Sequence, residues 1–259
     1  MRCSPGAARV GLGYRPQPPF STRARAACRL CSRTFARAPA GPGTEHRLAQ
    51  LFQQLGQPAR AQQLLVTPRP GLPPGLAVMR LVHGADIAHQ CGRDGLPAMR
   101  QALLMIDNPE DTYRRIATLF ATRLVPPEEG EALATGLAAW ASARERQGVA
   151  LAGHVRAAAC ALQQHAPARA LPHSLAALHL STAREPDSFS LPEMWLVLVL
   201  ARAHRALGHT DDAARSVAEG LAWVRRVDQA HVPAEFHDGL MNRNPVNRDL
   251  LALASVLGS

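Results

Sequence analysis

Cys28 and Cys31 have the Cys-x-x-Cys spacing of half a zinc site or of a redox pair. Nothing near them completes either chemistry: no second cysteine pair follows, Cys3 is distant, and His46 falls in the first expected helix. Cys91 and Cys160 fall on helical faces and read as small core residues. His231 and His237 flank Glu235, but a spacing of six puts the two rings on different helix faces, and His83 and His89 share that spacing. The His-Glu-x-x-His pattern of zinc proteases is absent. Glu128, Glu129 and Glu131, like Asp211 and Asp212, stand where helices begin and oppose the helix dipole rather than form an acid–base pair. No Ser, His and acid set accompanies a strand–turn–helix elbow. The protein is therefore expected to be non-enzymatic, with no catalytic residue, no metal and no cofactor.

Composition narrows the classes further. The 259 residues carry a formal charge of +9, and every basic residue is Arg. Without Lys there is no P-loop amine to hold a phosphate, no Schiff base and no kinase-type Lys. With only three Ile and four Asn, the bias fits GC-rich coding, so Arg in general says little about bidentate ligands. Eight Arg and no acid lie in residues 1–44, leaving the rest at +1. Nucleic acid is accordingly not expected as a partner, although an Arg-tail nucleic-acid binder is one alternative reading. The longest apolar run, Met194 to Ala201, is eight residues, well short of the roughly 18 of a membrane span. Five cysteines are no disulfide framework, and a cytoplasmic setting is expected.

The elements that must position any site are helices. Residues 1–43 are rich in Arg, Pro, Gly and Ala without hydrophobic period and are expected to be a disordered tail. The tail lacks the apolar core of a secretory signal; it is acid-free like a transit peptide, and a start codon placed too early or a bacterial tail is preferred over a transit peptide. Residues 44–259 read as one helical domain with a Pro-rich linker at 66–75. Helices are expected over Glu45–Leu55, Pro58–Leu65, Leu76–Cys91, Leu96–Ile106, from an Asn108 cap to Leu124, over Pro126–Arg146, Val149–Gln164 and Pro172–Ala183, from a Ser190–Glu193 capping box to Leu207, and over Thr210–Val227, Pro233–Met241 and Asn244–Leu257. Ala213, Val217, Leu221 and Val224 form one apolar stripe. The run from Met194 to Leu200 is apolar all round and is expected to lie between two layers.

Two segments match each other. Leu48–Gly56 continues to Ala61 and Leu65, and Leu200–Gly208 continues to Ala213 and Val217, with the small Ala five residues and the branched residue nine residues after the Gly. This pattern resembles the tetratricopeptide repeat, a helical hairpin of about 34 residues. The resemblance implies an all-α, α-α superhelix of stacked hairpins that docks a protein or peptide in its concave groove. It also implies that Trp195, Leu198, Arg202 and Arg205 face that groove, with His46, Gln50 and Gln53 in the first copy. The two Arg beside an apolar neighbour would then hold a peptide carboxylate or an acidic helix. A second resemblance rests on Val232-Pro233, Phe236, Leu240, Arg243 to Arg248 and Leu250 to Ala254. These look like the end of the tetratricopeptide region of large bacterial signalling ATPases and transcriptional regulators. That implies a detached array or a fragment of a larger gene, and transfers no catalytic residue. The other alternative is a small all-α enzyme or ligand-binding protein with an unrecognised site.

Overall fold

The structure is a computed structural model and describes residues 44–66, 70–182 and 193–258. The tail, the Cys28–Cys31 pair and the Ser190 cap lie outside the described residues. Among the described residues there are eleven α-helices and no strand. They are α1 (Thr44–Gln54), α2 (Pro58–Val66), α3 (Pro74–Gln90), α4 (Leu96–Leu104), α5 (Thr112–Ala121), α6 (Pro127–Ser142), α7 (Gln147–Gln163), α8 (Pro167–Thr182), α9 (Glu193–Ala206), α10 (Thr210–His231) and α11 (Pro245–Leu257). The protein is all-α, as its composition and helical periodicity predict.

Each helix packs on the next in sequence. The further packing pairs are α1 with α3, α3 with α5, α5 with α7, α7 with α9 and α9 with α11. The odd-numbered helices therefore form one inner layer, and the even-numbered helices back it. The turns use a common device. Gly56, Gly92 and Gly208 adopt left-handed backbone at φ 67°, 72° and 80°, and Glu145 and His165 do so without being Gly. In each, two amides fold back on the last carbonyls of the preceding helix, as in Gly208 to Arg205 at 3.0 Å and His209 to His204 at 2.9 Å.

Helix α7 is the most enclosed. Ala150, Leu151, Ala152, Val155, Ala157, Ala158 and Ala161 are all buried. A Cβ on Gly153 would come within 2.9 Å of the Ala138 amide nitrogen, so α6 and α7 touch backbone to backbone. Helix α9 is buried between layers, with Met194, Leu196, Leu198, Val199 and Leu200 all enclosed. The α10 stripe of Ala213, Val217, Leu221 and Val224 is buried as its spacing predicts.

Four local expectations are corrected. Helix α5 is capped by Asp111, not Asn108: the Asp111 carboxylate accepts from Tyr113 N at 2.7 Å and Arg114 N at 3.3 Å. The later start lets Arg114 donate to the Leu103 and Ile106 carbonyls at the end of α4. Helix α8 begins at Pro167 and carries Pro172 inside it, because the turn at His165 leaves Pro167 at the first helical position. Cys91 is exposed just past α3, whereas Cys160 is buried. The expected helix Pro233–Met241 is a 3₁₀ turn (Ala234–Phe236) followed by a π turn (Gly239–Arg243).

The last correction has a physical reason, since this segment meets the first hairpin. Phe236 packs edge-on to Phe52 with ring centroids 6.3 Å apart, and Arg60 lies over both rings. Asn244 caps α11 by accepting from Val246 and Asn247 amides, and its Nδ2 donates to Gln54 O at 2.7 Å. One residue thus serves the start of the last helix and the end of the first. A Cβ on Gly239 would lie 2.2 Å from Leu55 O, so only Gly lets the two backbones meet. Gly239→Ala is expected to destabilise by about 1–3 kcal/mol. Gly136→Ala, whose added methyl meets nothing within 4 Å, should stabilise by roughly 0.5–1 kcal/mol. Urea unfolding reads both, and equal effects would mean that the seam is open in solution.

Candidate functional site

Polar side chains gather along the inner layer, where a packing core would place aliphatics. Gln50 on α1 meets His83 on α3, with Nε2 atoms 2.8 Å apart. One turn on, Gln53 donates to Asp86 Oδ2 at 2.5 Å. Arg123, just after α5, donates to Asp86 Oδ1 at 2.5 Å. Arg156 on α7 stacks on the indole of Trp195 on α9, its guanidinium carbon 3.6 Å from the ring centroid, and Arg123 lies 5.0 Å from the same centroid. The ladder Gln53, Asp86, Arg123 and Arg156 climbs four successive inner segments at intervals of 33, 37 and 33 residues. Parallel helices in equivalent positions produce that near-constant offset.

The cluster is desolvated. Asp86 is 3% exposed, His83 1% and Arg156 2%. Asp86 is satisfied by Arg123 and Gln53 together. Arg156 is not: its Nε has no hydrogen-bond partner, and Asp86 forms its ion pair with Arg123. Among the described residues, two guanidinium groups and one carboxylate leave one positive charge without a counter-ion in a low-dielectric site. Burial first, then the neighbouring Arg123, pushes the Arg156 guanidinium well below its ordinary range, with Asp86 opposing. The surface offers a contrast. Arg115 and Arg144 flank the Trp140 indole in the same manner, and there the Glu110 carboxylate reaches both, at 3.0 and 2.7 Å.

His83 is held neutral. Burial lowers its pKa to about 4, against an opposing pull from Asp86 and with a small push from His46, whose ring stacks at 5.9 Å. Phe120 closes the other side edge-on at 5.2 Å.

The four residues expected in the groove do not converge. Trp195 joins the inner cluster. Leu198 is 2% exposed and packs against Val217 and Leu250, because it faces α10 and α11. Arg202 pairs with Asp249 on α11 at 2.6 Å. Arg205 is exposed near the end of α9. In the first copy Gln50 and Gln53 stand in the cluster, and His46 stacks on it. Asp86, Arg123 and Arg156 are not among the residues that sequence reasoning singles out. Their signal is a polar residue recurring every 33–37 positions on otherwise apolar inner faces.

Elsewhere, an apolar hollow of about 330 Å³ lies between α2, α3 and α4, walled by Leu65, Leu72, Ala77, Leu81 and Met105. Its one charged lining group, Arg80, is engaged by Glu45 at 2.8 Å and by the Leu64 and Leu65 carbonyls. His204, His209 and Asp212 meet at the α9–α10 turn, far in sequence from the Asp86 ladder. Of the carboxylates at helix starts, Glu131 is bridged by Arg169 and Gln164, and Asp212 pairs with Arg215. Among the described residues no helix is long and apolar enough to cross a membrane. Comparison with protein-family models, with curated proteins and with solved structures returns no match.

Two outcomes follow from the burial of this cluster. Arg156→Met, similar in volume and uncharged, should raise stability by about 1–4 kcal/mol, read by chemical denaturation; a loss would mean that stacking on Trp195 alone compensates the charge. His83 supplies the second. Unfolded, it takes up a proton near pH 6.5, whereas folded it stays neutral to about pH 4. Its contribution is intact above pH 6.5 and is lost as pH falls through that window, by about 3 kcal/mol in all. The acid limb of the stability profile should be shallower by that amount in His83→Gln, and an unchanged limb would place the proton elsewhere.

Proposed function

We propose that the protein is a non-enzymatic docking module whose inner helix layer holds a protein or peptide partner. An acidic group of that partner, an Asp or Glu carboxylate or a free C-terminus, sits against Arg156 and Trp195. The observation that carries this reading is the Arg156 cation, 2% exposed with an orphaned Nε and, among the described residues, no counter-ion of its own. A buried charge kept without a partner lowers stability, and an incoming anion removes that penalty. The planar guanidinium offers paired N–H donors to a carboxylate while its face stays on the indole.

Two further features support docking over chemistry. The one carboxylate at the centre, Asp86, is consumed by Arg123 and Gln53, which removes it as a free base. The offsets of 33–37 residues along the ladder match a hairpin repeat of about 34 residues. Arrays of this kind bind along the layer that their first helices line. The likeness of the C-terminal segment to bacterial regulators suggests a signalling or transcriptional setting for the partner.

The test is selection of a phage-displayed random peptide library on the full-length protein. Enriched sequences should carry Asp, Glu or a free C-terminal carboxylate. A synthetic peptide from that pool should quench tryptophan emission, lose at least about tenfold in affinity for Arg156→Met, and bind Arg100→Ala as it binds the parent. No enrichment, acid-free sequences, or equal affinity for Arg156→Met would each overturn the reading.

A further inference from the structure

The turn between α9 and α10 places two imidazoles and a carboxylate around one point. Helix α9 ends in a left-handed Gly208 (φ 80°), with Gly208 N bonded to Arg205 O and His209 N to His204 O. In this kind of helix stop the residue after the Gly lies against the one four places before the Gly, commonly through an apolar contact. Here both positions are His. Their Nδ1 atoms face each other 3.3 Å apart, with ring centroids 5.6 Å apart. His209 is also the residue that opens α10, so Asp212 stands three places on, over the same point. The ligand atoms of His204, His209 and Asp212 all lie within 4.8 Å of one another.

We infer that His204 Nδ1, His209 Nδ1 and the Asp212 carboxylate form a binding site for a divalent late transition-metal ion, Zn²⁺ foremost. The spacing supports this. Zinc binds imidazole nitrogen at about 2.0–2.1 Å in tetrahedral sites, which sets two such nitrogens about 3.3 Å apart. That is the separation observed. Two nitrogens and a carboxylate oxygen match the ligand softness of zinc, and solvent supplies the fourth position. Arg215 donates to Asp212 Oδ1 at 2.8 Å, which orients the carboxylate and leaves its other oxygen for the ion. Both imidazoles would carry their proton on Nε2, and the ion replaces the single proton that otherwise must be shared between the Nδ1 atoms. The ion would clamp the end of α9 to the start of α10.

The site is independent of the inner cluster, and its test is separate. The probes are Zn²⁺ and Co²⁺ themselves, added to the tag-free full-length protein with Cys28→Ser and Cys31→Ser in place, so that the Cys-x-x-Cys pair does not contribute. Calorimetry should show one zinc per protein molecule, Co²⁺ should give the visible bands of four-coordinate geometry, and saturating zinc should raise the unfolding midpoint. His204→Ala and His209→Ala should each weaken zinc by more than about 100-fold, and Asp212→Asn by about 10-fold or more. His154→Ala serves as the control. It removes one partner of another facing pair, His154 with His173 at 3.0 Å, and should leave zinc affinity unchanged. Absence of stoichiometric binding, or binding that survives His204→Ala together with His209→Ala, would overturn the assignment.

Discussion

The Asp86 carboxylate is the point on which the inner layer depends. An ionised carboxylate at 3% exposure is stable only with charge-matched, well-placed donors. Those donors come from two other segments, Gln53 on α1 and Arg123 after α5, 33 and 37 residues away. Apolar contacts tolerate sliding, because one methyl substitutes for another along a ridge. A buried ion pair does not: a shift of α5 by one turn would take Arg123 from Asp86, and a shift of α1 would take Gln53. The pair therefore contributes register more than net stability, and Arg156 and Trp195 extend the same constraint to α7 and α9.

How much of this is legible from residues alone depends on the range of the interaction. Helix stops and stripes are local, and most are legible: the α10 stripe and the enclosed α9 follow from spacing within one element. The Gly56 and Gly208 turns are legible because only Gly adopts that backbone without strain. The equivalent turn at His165 leaves no such mark, so the start of α8 is expected too late. The inner cluster is a long-range object. Its members come from five successive inner segments, and each polar member alone reads as an ordinary polar residue. Repeat register singles out Trp195, Gln50 and Gln53, and the structure places them in the inner cluster. The same register puts Leu198 on that face, yet one helical turn past Trp195 it instead meets α10 and α11.

The seam between the ends of the array is illegible for a different reason. Gly239 and Phe236 belong to a segment whose composition suits an α-helix. Contact with the Leu55 carbonyl and the Phe52 ring imposes the 3₁₀ and π turns instead. Tertiary contact here overrides local preference, because a regular helix would put a Cβ or a misaligned ring where the first hairpin already stands. The same contact ties both ends of the described array together through Asn244, 190 residues from the carbonyl it caps. The inner layer is thereby braced at its edges as well as at Asp86.

The all-Arg composition takes on a different meaning at the cluster than on the surface. Over most of the sequence, coding bias explains why Arg stands where Lys would serve. At Trp195 the choice is not neutral. Two guanidinium groups approach one indole, at 3.6 and 5.0 Å. A flat, delocalised and weakly hydrated cation stacks there with its donors free at the edge, whereas an ammonium would need its full hydration shell or direct anions. Arg123 uses its edge on Asp86. Arg156 has the same edge and the same stacking surface, and among the described residues no carboxylate pairs with it. The asymmetry between two equivalent residues one repeat apart is the ground of the proposal that a docked partner supplies a second carboxylate.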